Sequence, residues 1–155
     1  MRHLPSTLIR AAALAVMLSG GASASAQSHA ENRPPFTLRA STVSTLHLPE
    51  QQAKDAGIER AADKALLNVV VQRKGPAGDT QTVTADVTAR VISLAGVAQD
   101  VTFKANKENN HVSYLGVYTV LPNEMVDITV TAKPADAEAP LSLSFREGMG
   151  RAQAD

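Results

Sequence analysis

Beyond the first two dozen residues the chain carries three histidines, His29, His47 and His111, and it has no cysteine anywhere in its 155 residues. A structural zinc site takes four protein ligands and a catalytic one three, commonly as closely spaced pairs. No two of these histidines lie within five residues of each other, so the pattern offers no metal centre. Met125 and Met149 stand alone and make no thioether cluster for copper(I). A serine hydrolase needs a nucleophile beside a histidine and an acid. His47, with Ser44 and Asp55 nearby in sequence, is the closest approach, and no G-x-S-x-G elbow is present. There is no glycine-rich phosphate loop either. Carboxylate pairs arise by chance among 15 acidic residues, but a chain only 3% aromatic lacks the platforms that often accompany sugar recognition. No catalytic residue, metal ligand or cofactor site is therefore expected. A hydrolase built from distant residues, with His47 and His111 as its histidines, is the minor alternative.

Two segments suit a binding role instead. In 111–120 both parities are apolar: Val112, Tyr114, Tyr118 and Val120 on one face, Leu115 and Val117 on the other. A strand buried on both faces loses its alternation, so a central strand explains the pattern. Alternatively Leu115 and Val117, flanked by Tyr114 and Tyr118, lie under a partner or an apolar ligand, with Gly116 admitting a second backbone. The other segment runs from Glu50 to Lys64, where Glu50, Lys54, Asp55, Glu59, Arg60, Asp63 and Lys64 make a run of mixed sign. Such a run is ordinarily a solvated face, and Glu50 with Lys54 forms an i, i+4 pair. Glu50, Arg60 and Lys64 are the candidates if it is a docking surface, since charged loops on a rigid scaffold commonly carry function. Asn68 reads as a strand residue whose amide satisfies a neighbouring backbone group.

The elements that must position these residues are strands. Val83, Ala85, Val87, Ala89 and Val91 alternate with Thr82, Thr84, Asp86, Thr88 and Arg90, the signature of a half-buried strand. Val101–Phe103–Ala105, Val126–Ile128–Val130 and Leu141–Leu143–Phe145 repeat it. With 36–46, 66–72 and 111–120 the expectation is an all-β, seven-stranded immunoglobulin-like sandwich over 36–147. Turns fall at 75–79, 108–110 and 133–140, which are rich in glycine, proline, asparagine and aspartate. One short helix is expected over 49–56, near the start of the domain. Pro49 suits its first position, Glu50 the positive end of its dipole, and Gly57-Ile58 a left-handed cap with a hydrophobic contact behind it.

The first 26 residues read as an export signal: Arg2 and Arg10, an uncharged run from Ala11, then Ala24-Ser25-Ala26 as a cleavage site between Ala26 and Gln27. The uncharged stretch is too short and too rich in glycine and serine to span a bilayer. Without Arg2 and Arg10 the remaining chain has 13 basic and 15 acidic side chains, which excludes a strongly basic nucleic-acid binder. Residues 27–35 are polar and end in Pro34-Pro35, and read as a disordered leader with a solvated His29; 148–155 reads as a flexible tail. With no cysteine, neither a disulfide nor an N-terminal lipid is available, and packing alone must hold the domain. The expected location is the periplasm, with no stable membrane insertion once the signal is removed. The expected partner is a protein or small ligand that the sequence does not name; oligomeric state is not legible in it either.

Leu48-Pro49-Glu50, Ala53, Gly57-Ile58, Arg60, Lys64 and Leu66-Leu67-Asn68-Val69 resemble the DUF4426 family of small exported proteobacterial proteins. The likeness continues through Phe103-Lys104, the strand containing Tyr114, Leu121-Pro122-Asn123-Glu124 and a last strand ending near Phe145, and covers about 46–145. The resemblance implies a periplasmic immunoglobulin-like sandwich without a known activity or cofactor. The chain departs from that pattern at Ala56, where an aromatic residue is usual, at His111-Val112-Ser113, where a more acidic approach is usual, and at Gly148-Met149, where an aromatic end is usual. No aromatic binding surface is carried over. The reading is an exported, non-enzymatic binding or accessory module. The alternatives are a carrier of an apolar or envelope ligand held between the sheets, and the hydrolase above.

Overall fold

The computed structural model describes residues 27–149. The expected signal over 1–26 and most of the expected tail, residues 150–155, lie outside the described residues. Ten strands form two antiparallel sheets. The first contains β1 (Gln27–Arg33), β2 (Phe36–Ser44), β3 (Lys64–Lys74), β8 (His111–Thr119) and β7 (Phe103–Glu108) in that spatial order, with β4 (Thr80–Thr82) pairing the far end of β3. The second contains β10 (Leu141–Gly148), β9 (Met125–Pro134), β5 (Ala85–Ser93) and β6 (Ala98–Val101). The sandwich is as expected, and its strand count is higher for identifiable reasons. Two short pieces, β4 and β6, follow tight turns, and the stretch read as one strand around Val101–Ala105 divides, β6 joining one sheet and β7 the other.

The tenth strand, β1, corrects the expected leader. It pairs with β2 from Gln27↔Thr42 to Arg33↔Phe36. Its polar composition gives no apolar stripe, so its order comes from backbone hydrogen bonds and long-range side-chain contacts, among them one from Arg33 to the carbonyl of Pro140 at 2.8 Å. His29 stacks on Phe145 with ring centroids 4.1 Å apart, and its Nε2 lies 2.8 Å from Oε1 of Glu147. His29 is thus half-buried at the seam between β1 and β10, not solvated.

Alternation sets the core. Leu38, Leu67, Val69 and Val71 of one sheet meet Val91, Ile128, Val130 and Leu141 of the other, all essentially without exposure. Burying a side chain of this size is worth about 1.5–3 kcal/mol, and this layer substitutes for the disulfides the chain lacks. Tyr114 spans the layer: its hydroxyl accepts from the N–H of Ala85, 2.9 Å away, where the chain has just crossed from β4 to β5.

Between β2 and β3 the chain makes a 3₁₀ turn (Thr45–His47) and the helix α1 (Glu50–Ala56), with Pro49 at the N-cap, one position earlier than expected. Gly57, at φ 67°, ends α1: its N–H reaches the carbonyl of Lys54 and that of Ile58 reaches Ala53, as the Gly-Ile pair implied. Thr45, fully buried, donates to the carbonyls of Ala61 and Lys64 and accepts from the N–H of Ala61, which fixes the connection against the start of β3.

Candidate functional site

Successive residues of a strand face opposite sides, so the even residues of β2 and β8 and the odd residues of β3 point into the sandwich and the others point out. Register aligns two outward rows across three strands: Val43, Leu66 and Val117 in one, Ser41, Asn68 and Leu115 in the next. α1 lies over these rows and leaves a cleft of about 370 Å³ beside it. Leu48, Gln52, Ala56 and Ile58 come from α1 and its flanks; Val43, Leu66 and Leu115 form the apolar floor. Ser41, Thr42, Asn68, Asn106 and Ser113, with Gln52 of α1, supply the polar part of the lining, which contains no charged side chain. Leu48, Ala53 and Leu66, with Val43, Ile58 and Leu115 against them, make a small hydrophobic cluster separate from the main core.

Asn68 is the exception to an otherwise satisfied interior. Its Oδ1 is shielded from solvent and accepts from no donor, alone in this among the buried side-chain polar atoms of the described residues. This corrects the expectation that its amide caps a neighbouring backbone group. An unpaired buried acceptor costs about 1–3 kcal/mol.

The sequence candidates separate into three groups. Tyr114 and Tyr118 are in the core between the sheets and cannot form a surface. Leu115 belongs to the cleft, and Val117, 37% exposed, continues the row beyond it. Close to Gly116 stand side chains, not a second backbone: a Cβ there would lie 2.4 Å from Cγ1 of Val101 and 3.1 Å from the Phe103 ring. The charged candidates find partners within their own segment. Glu50 pairs with Lys54, Lys64 with Glu59, and Arg60 donates to the carbonyl of Leu46 at 2.8 Å. The pairing holds the Glu59 carboxyl below its ordinary pKa and the Lys64 ammonium above its own, each chiefly through their mutual hydrogen bond. They form the solvated face expected of a mixed-sign run.

The residues considered for hydrolysis do not converge. Ser44 caps the 3₁₀ turn, accepting from the N–H of Leu46, and Asp55 accepts from Gln51 at 2.8 Å. His47 and His111 are both exposed and lie at opposite ends of the first sheet, because β8 begins at His111 and brings Thr119, not His111, to Lys64 at the start of β3. Eight residues at about 3.3 Å each separate those ends. Among the described residues no group of three or more His, Cys, Asp or Glu is placed to hold a metal ion.

A second polar group lies inside the sandwich. Glu147, 5% exposed, sits between His29 and Tyr118. Burial pushes the Tyr118 phenol up to about 12, with the Glu147 charge adding to the rise and a hydrogen bond with Thr42 opposing it. Sequence reasoning missed this group because its members come from β1, β2, β8 and β10. It also passed over Leu94 and Val97, 64% and 67% exposed at the tip of the β5–β6 hairpin.

Comparison with known proteins agrees with this architecture. A crystal structure of a DUF4426 family protein from Pseudomonas aeruginosa PAO1 superposes with a TM-score of 0.68 at 18% identity, covering 81% of this chain and 97% of that one. A copper-bound single-residue variant of FetP from uropathogenic Escherichia coli strain F11 superposes with a TM-score of 0.54 at 13% identity, over 77% of this chain and 92% of that one. FetP as isolated, after recombinant expression in the E. coli periplasm, gives 0.54 at 12% identity over 77% and 94%. These likenesses concern the fold. No curated protein matches the sequence. The family model described as a domain of unknown function, DUF4426, matches residues 32–149, from the end of β1 to the end of β10, and the chain belongs to that family.

Proposed function

We propose that this chain is an exported, non-enzymatic binding module of the cell envelope, and that its ligand seats in the cleft between α1 and the outer face of the first sheet. The observation that carries the reading is the cleft itself: a concave, mostly apolar space with a few convergent neutral polar groups, the usual constitution of a small-molecule site. Its lining holds no acid, base or thiol to activate a nucleophile, which favours holding over turnover. The core side chains occupy the space between the sheets, so the cleft is a better seat for a carried ligand than the sandwich interior. Export rests on the N-terminal pattern around Arg10 and Ala24-Ser25-Ala26. In the described residues no helix is long and apolar enough to cross a membrane.

The test is native mass spectrometry and solvent extraction of the chain purified from its own periplasm, beside Ala56→Phe, which places a ring in the cleft. A small molecule recovered with the natural chain and lost from a folded Ala56→Phe is the expected result. The same molecules recovered from both would remove the cleft from the function.

A further inference from the structure

The large apolar side chains that the described residues leave exposed are gathered at one end of the sandwich. Leu94 and Val97 flank the turn between β5 and β6, and Leu121 and Met125 flank the turn between β8 and β9. Ile92 is at the end of β5, Leu46 in the 3₁₀ turn after β2, and Val117 near the end of β8. Register puts these places side by side: Ser93↔Val126 aligns the end of β5 with the start of β9, and Lys64↔Thr119 aligns the end of β8 with the start of β3. The Gln99 carboxamide joins the two sheets there, bonding both the N–H and the carbonyl of Thr119. The turns of the opposite end, 75–79, 109–110 and 135–140, carry no exposed large apolar side chain. Scattered apolar exposure needs no explanation, but exposure collected on one surface marks an interaction site.

The two turn tips are built to leave water at low cost. No charged residue occurs from Val91 to Gln99. In the first turn the Ser93 N–H reaches the carbonyl of Val97, the Gly96 N–H reaches that of Ser93, and the Val97 N–H reaches the Ser93 hydroxyl. In the second the Leu121 N–H is bonded to the Glu124 carboxylate, and the Glu124 and Asn123 N–H groups to the carbonyls of Leu121 and Met149. Backbone groups already bonded within the protein are the condition for entering an apolar medium. The charges on the flanking strands are paired, Arg90 with Asp100 and Asp127 with Arg146, so no cationic surplus stands here to gather anionic lipid. The course of the chain indicates what lies opposite. β1 starts at Gln27 against Thr42, two residues before β2 ends, so the chain enters the sandwich at this same end. Ahead of Gln27 the sequence carries the uncharged run from Ala11 that reads as a signal for the bilayer. A domain still joined to that run turns the end bearing Leu94, Val97 and Leu121 toward the lipid. We propose that this end is a docking surface for a phospholipid bilayer, with the tips at Leu94–Val97 and Leu121 seated among the acyl chains just below the head groups and the strands standing outside.

The absence of tryptophan from the chain supplies the test. Leu94→Trp places a lone reporter on the first tip, and Ala77→Trp places one in a turn of the opposite end. Each variant, purified after export, is mixed with vesicles of phosphatidylcholine alone and of phosphatidylethanolamine with phosphatidylglycerol. The expected result is a blue shift of Leu94→Trp emission, and quenching by brominated acyl chains, with both compositions and at low and high salt, while Ala77→Trp is unchanged. In sedimentation the natural chain should follow both kinds of vesicle, and Leu94→Asp and Leu121→Asp should each weaken that binding at least about tenfold, the ratio that half the burial of one leucine supplies. These residues lie on separate turns, so a failure of one variant to fold leaves the other to decide. No shift of Leu94→Trp with either composition, or equal shifts at both ends, would overturn the proposal, as would vesicle binding that survives both aspartates. Binding only to the anionic vesicles, abolished by salt, would replace apolar seating with charge attraction and overturn it too. Self-association of the natural chain that Leu94→Asp abolishes, without vesicle binding, would give the surface to a second copy instead.

Discussion

The first sheet has two faces built from the same three strands, and they differ in kind. Its inner face is a closed layer in which Leu67, Val69 and Val71 have no exposure and the polar atoms find partners across the sandwich, as Tyr114 does at Ala85. Its outer face, one residue out of phase, carries Asn68 between Leu66 and Val70, is covered by a two-turn helix, and keeps both a cleft and an unpaired acceptor. A protein interior packs close to crystal density and leaves few voids. The inner face follows that rule and the outer one does not. Stability is concentrated on the side where the sequence alternates, while on the other side packing is left incomplete beside α1.

That contrast can be broken or sharpened by measurement. Leu67→Ala, on the inner face, is expected to cost about 3–4 kcal/mol of unfolding free energy, while Leu66→Ala, its outward neighbour beside an existing cleft, should cost about 2. Equal losses in chemical denaturation would erase the distinction between the faces. Alkali probes the inner face a second way. The folded Tyr118 phenol ionises at about 12, above its unfolded value of 10, so its contribution is complete below pH 10 and is lost as pH rises from 10 toward 12. The loss is about 2–3 kcal/mol. It should appear as a phenolate absorbance step near pH 12 that Tyr118→Phe removes. Gly116→Ala comes next, at about 2 kcal/mol, because the new methyl meets the Val101 side chain in a filled layer. Asn68→Leu has the opposite sign: removing the orphaned acceptor should raise stability by about 1 kcal/mol in thermal or chemical unfolding. A loss there would mean that the amide has a structural partner.

The strands with an apolar stripe, β5, β9 and β10, were legible because alternation is a local property, and the cap at Gly57-Ile58 because a left-handed turn asks for a particular residue. β1 was not legible, since Gln-Ser-His-Ala-Glu-Asn-Arg has no stripe and its anchors, Phe145 and Glu147, are more than a hundred residues away. For the candidate site, Leu115 was marked from its sequence context, but Tyr114 and Tyr118 were grouped with it on adjacency, although neighbouring residues of a strand face opposite ways. The cleft escaped notice because Ser41, Ala56, Asn68, Asn106 and Leu115 meet through register between elements, which no window along the chain contains.

The bond from the N–H of Ala85 to the Tyr114 hydroxyl ties an amide of one sheet to a side chain rooted in the other. Fraying of an edge strand releases the ladder hydrogens along that edge, whereas this one is held by contact between the two sheets. In deuterium exchange the Ala85 amide therefore reports on separation of the layers, and Tyr114→Phe should make it exchange at the rate of a strand end while leaving the amides in the middle of β9 protected.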